Sequence, residues 1–365
     1  MKKKVAIYID NLNGGGAEKV LINYLKSFDY NTFEVTLYLI MYEGVYLTEI
    51  PSNVNVKYFF KKSILGNIFT RILRRLFSYW PYLYYLFFIK KCDVEIGFRE
   101  GFSTDLMFYS PFDTKKITFL HTNIQTHHLW YLNKSKYIQK LNLLDTIICV
   151  SNSVKKSLLE VNLSLDEKCK VIYNPIDFND VQAKLDEINP ISLDDYKLRF
   201  VTIGRLDQWK NQKLLIESLA SLKNILPNFI LFIIGDGPEN TNLKSLVVKL
   251  RLSKHIFFTG FVKNPLKYLN GCEYFLFSSK YEGLPTVIIE SLYARKKILS
   301  TYCNGAEEIL RNGKYGLLSN NSIEEYSKGI LKLIDSDLNL AESWNSSDYS
   351  MSKQTELVKQ IILEK

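Results

Sequence analysis

Several absences narrow the chemistry open to this chain before any motif is read. Its five cysteines, Cys92, Cys149, Cys169, Cys272 and Cys303, form no C-x-x-C pair. This argues against a disulfide framework and a zinc ribbon, and suits a reducing cytoplasm. Histidine is scarce, and the neighbours His121, His127 and His128 have no acidic partner at ligand spacing, so no metal is expected. The one D-x-D string, Asp335-Ser336-Asp337, follows a helical pattern rather than a strand and reads as a surface helix end. No apolar run reaches bilayer length: the aromatic run at 79–89 is about half of what a span requires and contains Pro81. The opening MKKKVAIYID is charged like a secretory leader, but its apolar stretch stops at Asp10 and reads as a first buried strand.

Acidic residues are missing altogether between Pro51 and Cys92, where eight basic ones lie: Lys57, Lys61, Lys62, Arg71, Arg74, Arg75, Lys90 and Lys91. Phe59, Phe60, Ile64, Leu65, Ile68, Phe69, Ile72, Leu73, Leu76 and Phe77 are interleaved with them. A basic, aromatic, amphipathic segment over 57–91 meets the needs of a membrane interface, with apolar groups at the headgroup boundary and cations on anionic lipid. A core helix with a solvated basic face accounts for the same pattern equally well. Nucleic acid ranks third and is not expected as a partner, because no recognition motif accompanies the charge.

What is present suits two domains. The chain has 365 residues, 47% hydrophobic and 23% charged, too long for one typical core and too apolar to be disordered. Strands are expected at Val5–Ile9, Phe33–Met41, Asp93–Phe98, Lys116–Leu120 and Thr146–Val150, near-continuously apolar and separated by helical periodicity. The alternation restarts at Arg199–Ile203, Phe229–Ile234, His255–Thr259 and Tyr274–Ser278, with helices over 211–226, 243–250 and 285–293. Two doubly wound α/β domains with parallel sheets follow, over 1–177 and 178–351, with a final helix at about 352–365 able to pack back on the first. The polar stretch 177–196 reads as the linker.

In such sheets ligands gather beyond the carboxyl ends of the strands, so the residues that follow strands are the candidates. After the first strand, Gly14, Gly15 and Gly16 open a helix, where free amides favour an anion; a plain tight turn explains a lone glycine cluster as well. The cluster matches neither G-x-G-x-x-G nor a Walker loop. The G-R-L-D-Q-W-K-N string places Arg205 and Lys210 where they could neutralise a diphosphate, or simply be exposed cations. Gly235 in G-D-G-P-E, and Phe261 with Val262 in T-G-F-V-K-N, sit in turns that could approach a flat base or simply be turns. In S-K-Y-E-G-L-P-T-V-I-I-E-S, Glu282 belongs to the loop, Pro285 to the first helical position and Glu290 to the second helical turn.

Taken together, G-G-G-A-E-K, G-R-L-x4-K, G-D-G-P-E and E-G-L-P-x4-E resemble the retaining glycosyltransferases of family 4, with the GT-B fold of two facing Rossmann-like domains. The wording of the motifs is similar to bacterial capsule and O-antigen enzymes. The resemblance implies transfer of a hexose or N-acetylhexosamine from a nucleotide diphosphate sugar, UDP-linked, to a polyprenyl-diphosphate-linked glycan. It implies no cofactor and no metal, and a peripheral place on the inner face of the cell membrane.

Residue by residue, it implies that Glu290 holds the ribose, that Glu282 touches the transferred sugar and that Arg205 and Lys210 stabilise the leaving diphosphate. The amides of Gly283 and Leu284, ahead of Pro285, would face sugar or phosphate, Phe261 and Val262 would bracket the base, and His121 would lie near the donor sugar. The glycine loop would face the acceptor's phosphate. Glu282 is expected to tolerate substitution better than Glu290. A GT-B nucleotide-sugar epimerase and a non-catalytic nucleotide-sugar binding protein are the competing readings.

Overall fold

The computed structural model describes residues 1–61, 79–124, 137–188, 195–226, 228–336 and 343–364. Arg71, Arg74, Arg75, His127, His128, Asp337 and the middle of the basic aromatic segment, 62–78, lie outside the described residues. Residues Met1–Ile176 and Asp348–Lys365 form one compact unit, and Asp177–Ser347 the other.

The first unit is a seven-stranded sheet: β1 (Lys3–Ile9), β2 (Phe33–Tyr42), β3 (Asn55–Lys61), β4 (Val94–Gly97), β5 (Lys115–Leu120), β6 (Thr146–Cys149) and β7 (Cys169–Val171). Their spatial order is β3-β2-β1-β4-β5-β6-β7, with parallel neighbours. The second unit is a six-stranded sheet of β8 (Leu198–Ile203), β9 (Phe229–Ile234), β10 (Ile256–Gly260), β11 (Tyr274–Phe277), β12 (Lys297–Thr301) and β13 (Leu317–Ser319). Its order is β10-β9-β8-β11-β12-β13, again parallel. Central strands such as Phe229–Ile234 are buried throughout, as expected for a sheet covered on both faces.

Both sheets reverse direction of winding at one point, between β1 and β4 in the first and between β8 and β11 in the second. There the loops on adjacent strand ends leave toward opposite faces and open a crevice. The residues that border each crevice are therefore fixed by topology: those after β1 and β4 in the first unit, and those after β8 and β11 in the second.

The stretch read as a linker is partly structured. Phe178–Leu185 is a helix, capped by Asp177, whose carboxylate accepts from the amides of Asn179 and Asp180 at 3.2 and 3.1 Å. Its Asn- and Asp-rich composition marks a helix start as much as a loop. The C-terminal helix Met351–Leu363 packs in the first unit, where Thr355 Oγ1 lies 2.6 Å from Ser27 Oγ. Lys3 and Lys115 donate to the carbonyls of Ile362 and Ile361 near its end, a favourable placement of cations on the helix dipole.

The helix Tyr82–Phe87 buries Tyr84 and Tyr85 and turns Tyr82, Leu86 and Phe87 outward, beside exposed Tyr79 and Trp80. Tyr84 packs on Phe59 and Phe102, and the Tyr85 hydroxyl donates to Glu95 Oε1 at 2.9 Å. The aromatic run is thus split, with a buried side that anchors it and an apolar side in water. No described helix is long and apolar enough to cross a membrane.

Candidate functional site

In the second unit, the loop after β8 is built by backbone economy. Gly204 N donates to Ile234 O at 2.9 Å, and Gly235, at φ +134°, passes so close that an added Cβ would lie 2.0 Å from Gly204 O. Only glycine fits there. Asp207 Oδ1 accepts from the amides of Trp209 and Lys210 at 2.9 and 3.0 Å, and Asn211 adopts the left-handed region at φ 53° ahead of the helix Gln212–Leu222. Buried Gln212 reaches back to donate to Arg205 O at 3.0 Å. The Arg205 side chain remains 71% exposed, its Nε 3.9 Å from Asp207 Oδ2.

The loop after β11 runs alongside. Ser278 Oγ donates to Lys210 O and Lys280 N to Trp209 O, both at 2.8 Å, and the Trp209 and Tyr281 rings meet edge to face at 5.8 Å. The outcome is an ion pair between Lys210 Nζ and Glu282 Oε1, with side chains 27% and 16% exposed. The ammonium also lies 5.7 Å from the centre of the Phe277 ring. The spacing of 72 residues says nothing of this contact; adjacency of β8 and β11 produces it.

Beyond Glu282, the Gly283-Leu284-Pro285 step is buried, and a Cβ on Gly305 would lie 2.6 Å from Gly283 O. The helix Asn304–Ile309 is thereby pressed against the step. Pro285 caps the helix Thr286–Tyr293 rather than occupying its first position, because its ψ of 96° is extended. A proline is tolerated there for the reason that favoured the first turn: no intrahelical partner waits for its missing N–H. Glu290 lies one turn on and is half-buried. Gly235 N donates to Gly260 O at 3.0 Å, which ties the turn after β9 to the turn carrying exposed Phe261 and half-buried Val262. Cys303, not read as a site residue in the sequence, is a buried thiol pushed up to about 12 by burial and next by the Glu282 carboxylate.

In the first unit, the loop of Gly14, Gly15 and Gly16 leads into the helix Gly16–Ser27, but its Gly15 amide is not open. Gly15 N donates to Glu18 Oε2, and the same carboxylate lies 3.5 Å from Arg99 Nη1. Burial raises the Glu18 carboxyl above its ordinary value, against the lowering effect of the Gly15 amide and Arg99. This corrects the reading of the loop as a set of free amides, since the helix N-terminus holds an anion of its own.

His121 follows β5 and is half-buried between Phe98 and Phe119, its Nε2 3.0 Å from Phe98 O. Burial lowers its pKa, partly opposed by Glu100. Arg99 and Glu100 carry no spacing signal that would have singled them out, whereas Glu18 stands in the G-G-G-A-E-K string without a role read for it. Among the described residues, no group of three or more His, Cys, Asp or Glu is placed to hold a metal.

Residues 14–180 match the family Glycosyltransferase Family 4, and residues 184–351 match Glycosyl transferases group 1. A Campylobacter jejuni protein named N-acetylgalactosamine-N,N'-diacetylbacillosaminyl-diphospho-undecaprenol 4-alpha-N-acetylgalactosaminyltransferase is 28% identical, over 98% of this chain and 97% of its own. The capsular polysaccharide biosynthesis glycosyltransferase CapH of Staphylococcus aureus is 27% identical over 60% of each chain. Among solved structures, HepE of Anabaena in complex with UDP and glucose superposes with a TM-score of 0.77, at 18% identity and 99% of both chains. WaaG, a glycosyltransferase involved in lipopolysaccharide biosynthesis, gives 0.65 at 15% identity, over 99% of this chain and 100% of that one. At these identities the structures establish the fold.

Proposed function

We propose that this chain, which belongs to the GT-B glycosyltransferases with a Family 4 half and a group 1 half, transfers a hexose or N-acetylhexosamine from a UDP-sugar to a polyprenyl-diphosphate-linked glycan. The observation that carries this is the Lys210–Glu282 pair at the winding reversal of the second sheet, directly before the buried Gly283-Leu284-Pro285 step. The acceptor class is supported by the Campylobacter relative, whose name specifies a diphospho-undecaprenol glycan.

In this reading Arg205 and Lys210 take up the charge that develops on the departing diphosphate, the term that preorganised electrostatics lowers most. Glu282 meets the transferred sugar while holding Lys210, and the amides of Gly283 and Leu284 face sugar or phosphate. Glu290 accepts from the ribose hydroxyls; Phe261, Val262 and Gly235 border the base; His121 contacts the donor sugar. The leaving oxygen accepts the acceptor's proton on the same face, so configuration is retained without a strong protein base or a metal. The loop Gly14–Gly16 borders the acceptor, and phosphate contact there requires Glu18 to release its amides.

The defining experiment incubates the protein with labelled UDP-sugars, with and without lipid-linked acceptor, in the presence of a chelator. Transfer of the expected α-linked product supports the proposal. A changed sugar without acceptor would indicate an epimerase, and binding without turnover a sugar-nucleotide binding protein. Glu290→Ala is expected to weaken UDP affinity about tenfold in calorimetry, the value of one charge-assisted contact; unchanged affinity removes the ribose role.

The exposed Tyr79, Trp80, Tyr82, Leu86 and Phe87, with Lys57, Lys61, Lys90 and Lys91 nearby in sequence, suit a peripheral seat on the cytoplasmic leaflet. Trp80→Ser with Phe87→Ser is expected to reduce partitioning into anionic vesicles several-fold, as is charge reversal at Arg71, Arg74 and Arg75. Unaltered sedimentation with vesicles in both variants counts against the membrane role.

A further inference from the structure

Three strand-end loops of the first unit are locked together by two consecutive residues. After β4 the chain continues Phe98-Arg99-Glu100-Gly101, and its backbone is pinned from several sides. Phe98 N donates to Tyr8 O at 3.0 Å. The hydroxyls of Ser103 and Thr104 both donate to Arg99 O, at 2.8 and 2.7 Å, and Gly101 turns at φ +113°. From this fixed step Arg99 points to Glu18 behind the glycine loop after β1. Glu100, 7% exposed, points to the loop after β5. There a single oxygen, Oε1, accepts from His121 N, from Thr122 N at 2.8 Å and from Thr122 Oγ1 at 3.2 Å.

The same step also orders the imidazole. A backbone carbonyl only accepts, so the 3.0 Å contact between His121 Nε2 and Phe98 O places the ring proton on Nε2. Nδ1 has no hydrogen bond among the described residues and is left as a lone-pair acceptor. The charged groups facing His121 are Glu100 and Arg99, which act on the ring in opposite senses.

We propose that Glu100 is a positioning residue of the transferase: by gathering the His121 and Thr122 amides on one oxygen it holds the imidazole against Phe98 O, so that Nδ1 is presented as an acceptor to a substrate hydroxyl. A hydroxyl on His121 is then oriented as a donor, which favours sugars with a free OH at that point and disfavours those where it is replaced by hydrogen. The role depends on reach rather than charge, because the contacts it makes are to neutral N–H and O–H groups. The inference rests on the transferase reading for its effect on turnover, but not for its effect on the ring.

The test compares Glu100→Gln, which keeps the reach and an accepting oxygen, with Glu100→Asp, which keeps the charge and withdraws it by one methylene. Turnover on UDP-sugar and lipid-linked acceptor is expected to fall roughly 10- to 100-fold in Glu100→Asp, mainly in kcat, as a displacement near 1 Å would cause. Glu100→Gln is expected to recover to within about fivefold of the native rate, on the same principle of retained geometry. Separately, a long-range proton–nitrogen correlation spectrum of histidine-labelled protein, with His121 assigned by loss of its signal in His121→Gln, is expected to report the Nε2–H tautomer in native protein and Glu100→Gln. A mixed or inverted tautomer is expected in Glu100→Asp. Equal rates in the two variants, or an unchanged tautomer in Glu100→Asp, overturns the proposal. A native protein that shows no transfer while the spectra follow expectation would instead overturn the transferase reading alone.

Discussion

Lys210→Ala is expected to lower kcat by about 10²- to 10³-fold while the protein melts close to the native temperature, the scale found when one preorganised charge stabiliser is removed. The size of the loss has two sources. The ammonium no longer meets the leaving diphosphate, and the Glu282 carboxylate, 16% exposed and deprived of its partner, faces that diphosphate with a like charge. Glu282→Gln is the informative contrast. It removes the competing carboxylate, keeps the side-chain shape and leaves Lys210 free to turn to phosphate, so its loss should be several-fold smaller. Steady-state rates with saturating donor and acceptor separate the two. A Lys210→Ala enzyme within tenfold of native kcat would show that the diphosphate charge is carried elsewhere.

The ion pair also shows where sequence reasoning reaches its limit. Arg205, Lys210 and Glu282 are recognisable because each follows an apolar run with strand character, and Glu290 because it stands in the helix that the Gly-Leu-Pro step opens. What the sequence does not display is that β8 and β11 are neighbours at the point where winding reverses, so that the loops they feed run side by side. Lys210 and Glu282, each assigned a separate substrate contact, turn out to be each other's partner. The same blindness hid Glu95 and Glu100: an isolated acid in a sequence announces no partner, and theirs are hydroxyls and backbone amides distant along the chain.

Strands with unbroken apolar runs, such as Phe229–Ile234, were legible almost to the residue. Asn55–Lys61 was not, since it is an edge strand whose solvated Lys57 and Lys61 dilute the pattern and merge it with the basic segment that follows. The short strands Cys169–Val171 and Leu317–Ser319 were too brief to express a period. Pro285 missed its expected position by one residue, which matters little chemically, because both positions tolerate the missing donor.

Glu95→Ala is expected to cost the first unit about 3 kcal/mol, since hydrogen bonds to a charged group contribute roughly 1.5–3 kcal/mol each and part is offset by no longer burying the carboxylate. Glu95 is in β4, fully buried, with Oε1 accepting from Tyr8 OH at 2.7 Å and Tyr85 OH at 2.9 Å, and Oε2 from Thr114 Oγ1 at 2.7 Å. Alanine removes the carboxylate from the hydroxyls of Tyr8 and Thr114, leaves Tyr85 OH its 3.2 Å contact with Leu106 O, and opens a void at the centre of the sheet. For a unit of this size the melting temperature should fall by roughly 6–12 °C.

Glu95→Gln should fall less, because its amide oxygen still accepts from the two tyrosines and the Thr114 hydroxyl can rotate to accept from its nitrogen. Tyr85→Phe should cost about 1.5 kcal/mol, the lower end for one such bond. The consequence extends to the surface. Tyr85 is on the helix that turns Tyr82, Leu86 and Phe87 outward, so loosening its hydroxyl anchor should weaken vesicle binding well below the melting temperature, although no exposed residue has changed. Glu95→Ala protein that melts within two degrees of native would show that the hydroxyls find other partners. Glu95→Ala protein that melts early yet binds vesicles like native would show that the aromatic face is held by the Tyr84 packing alone.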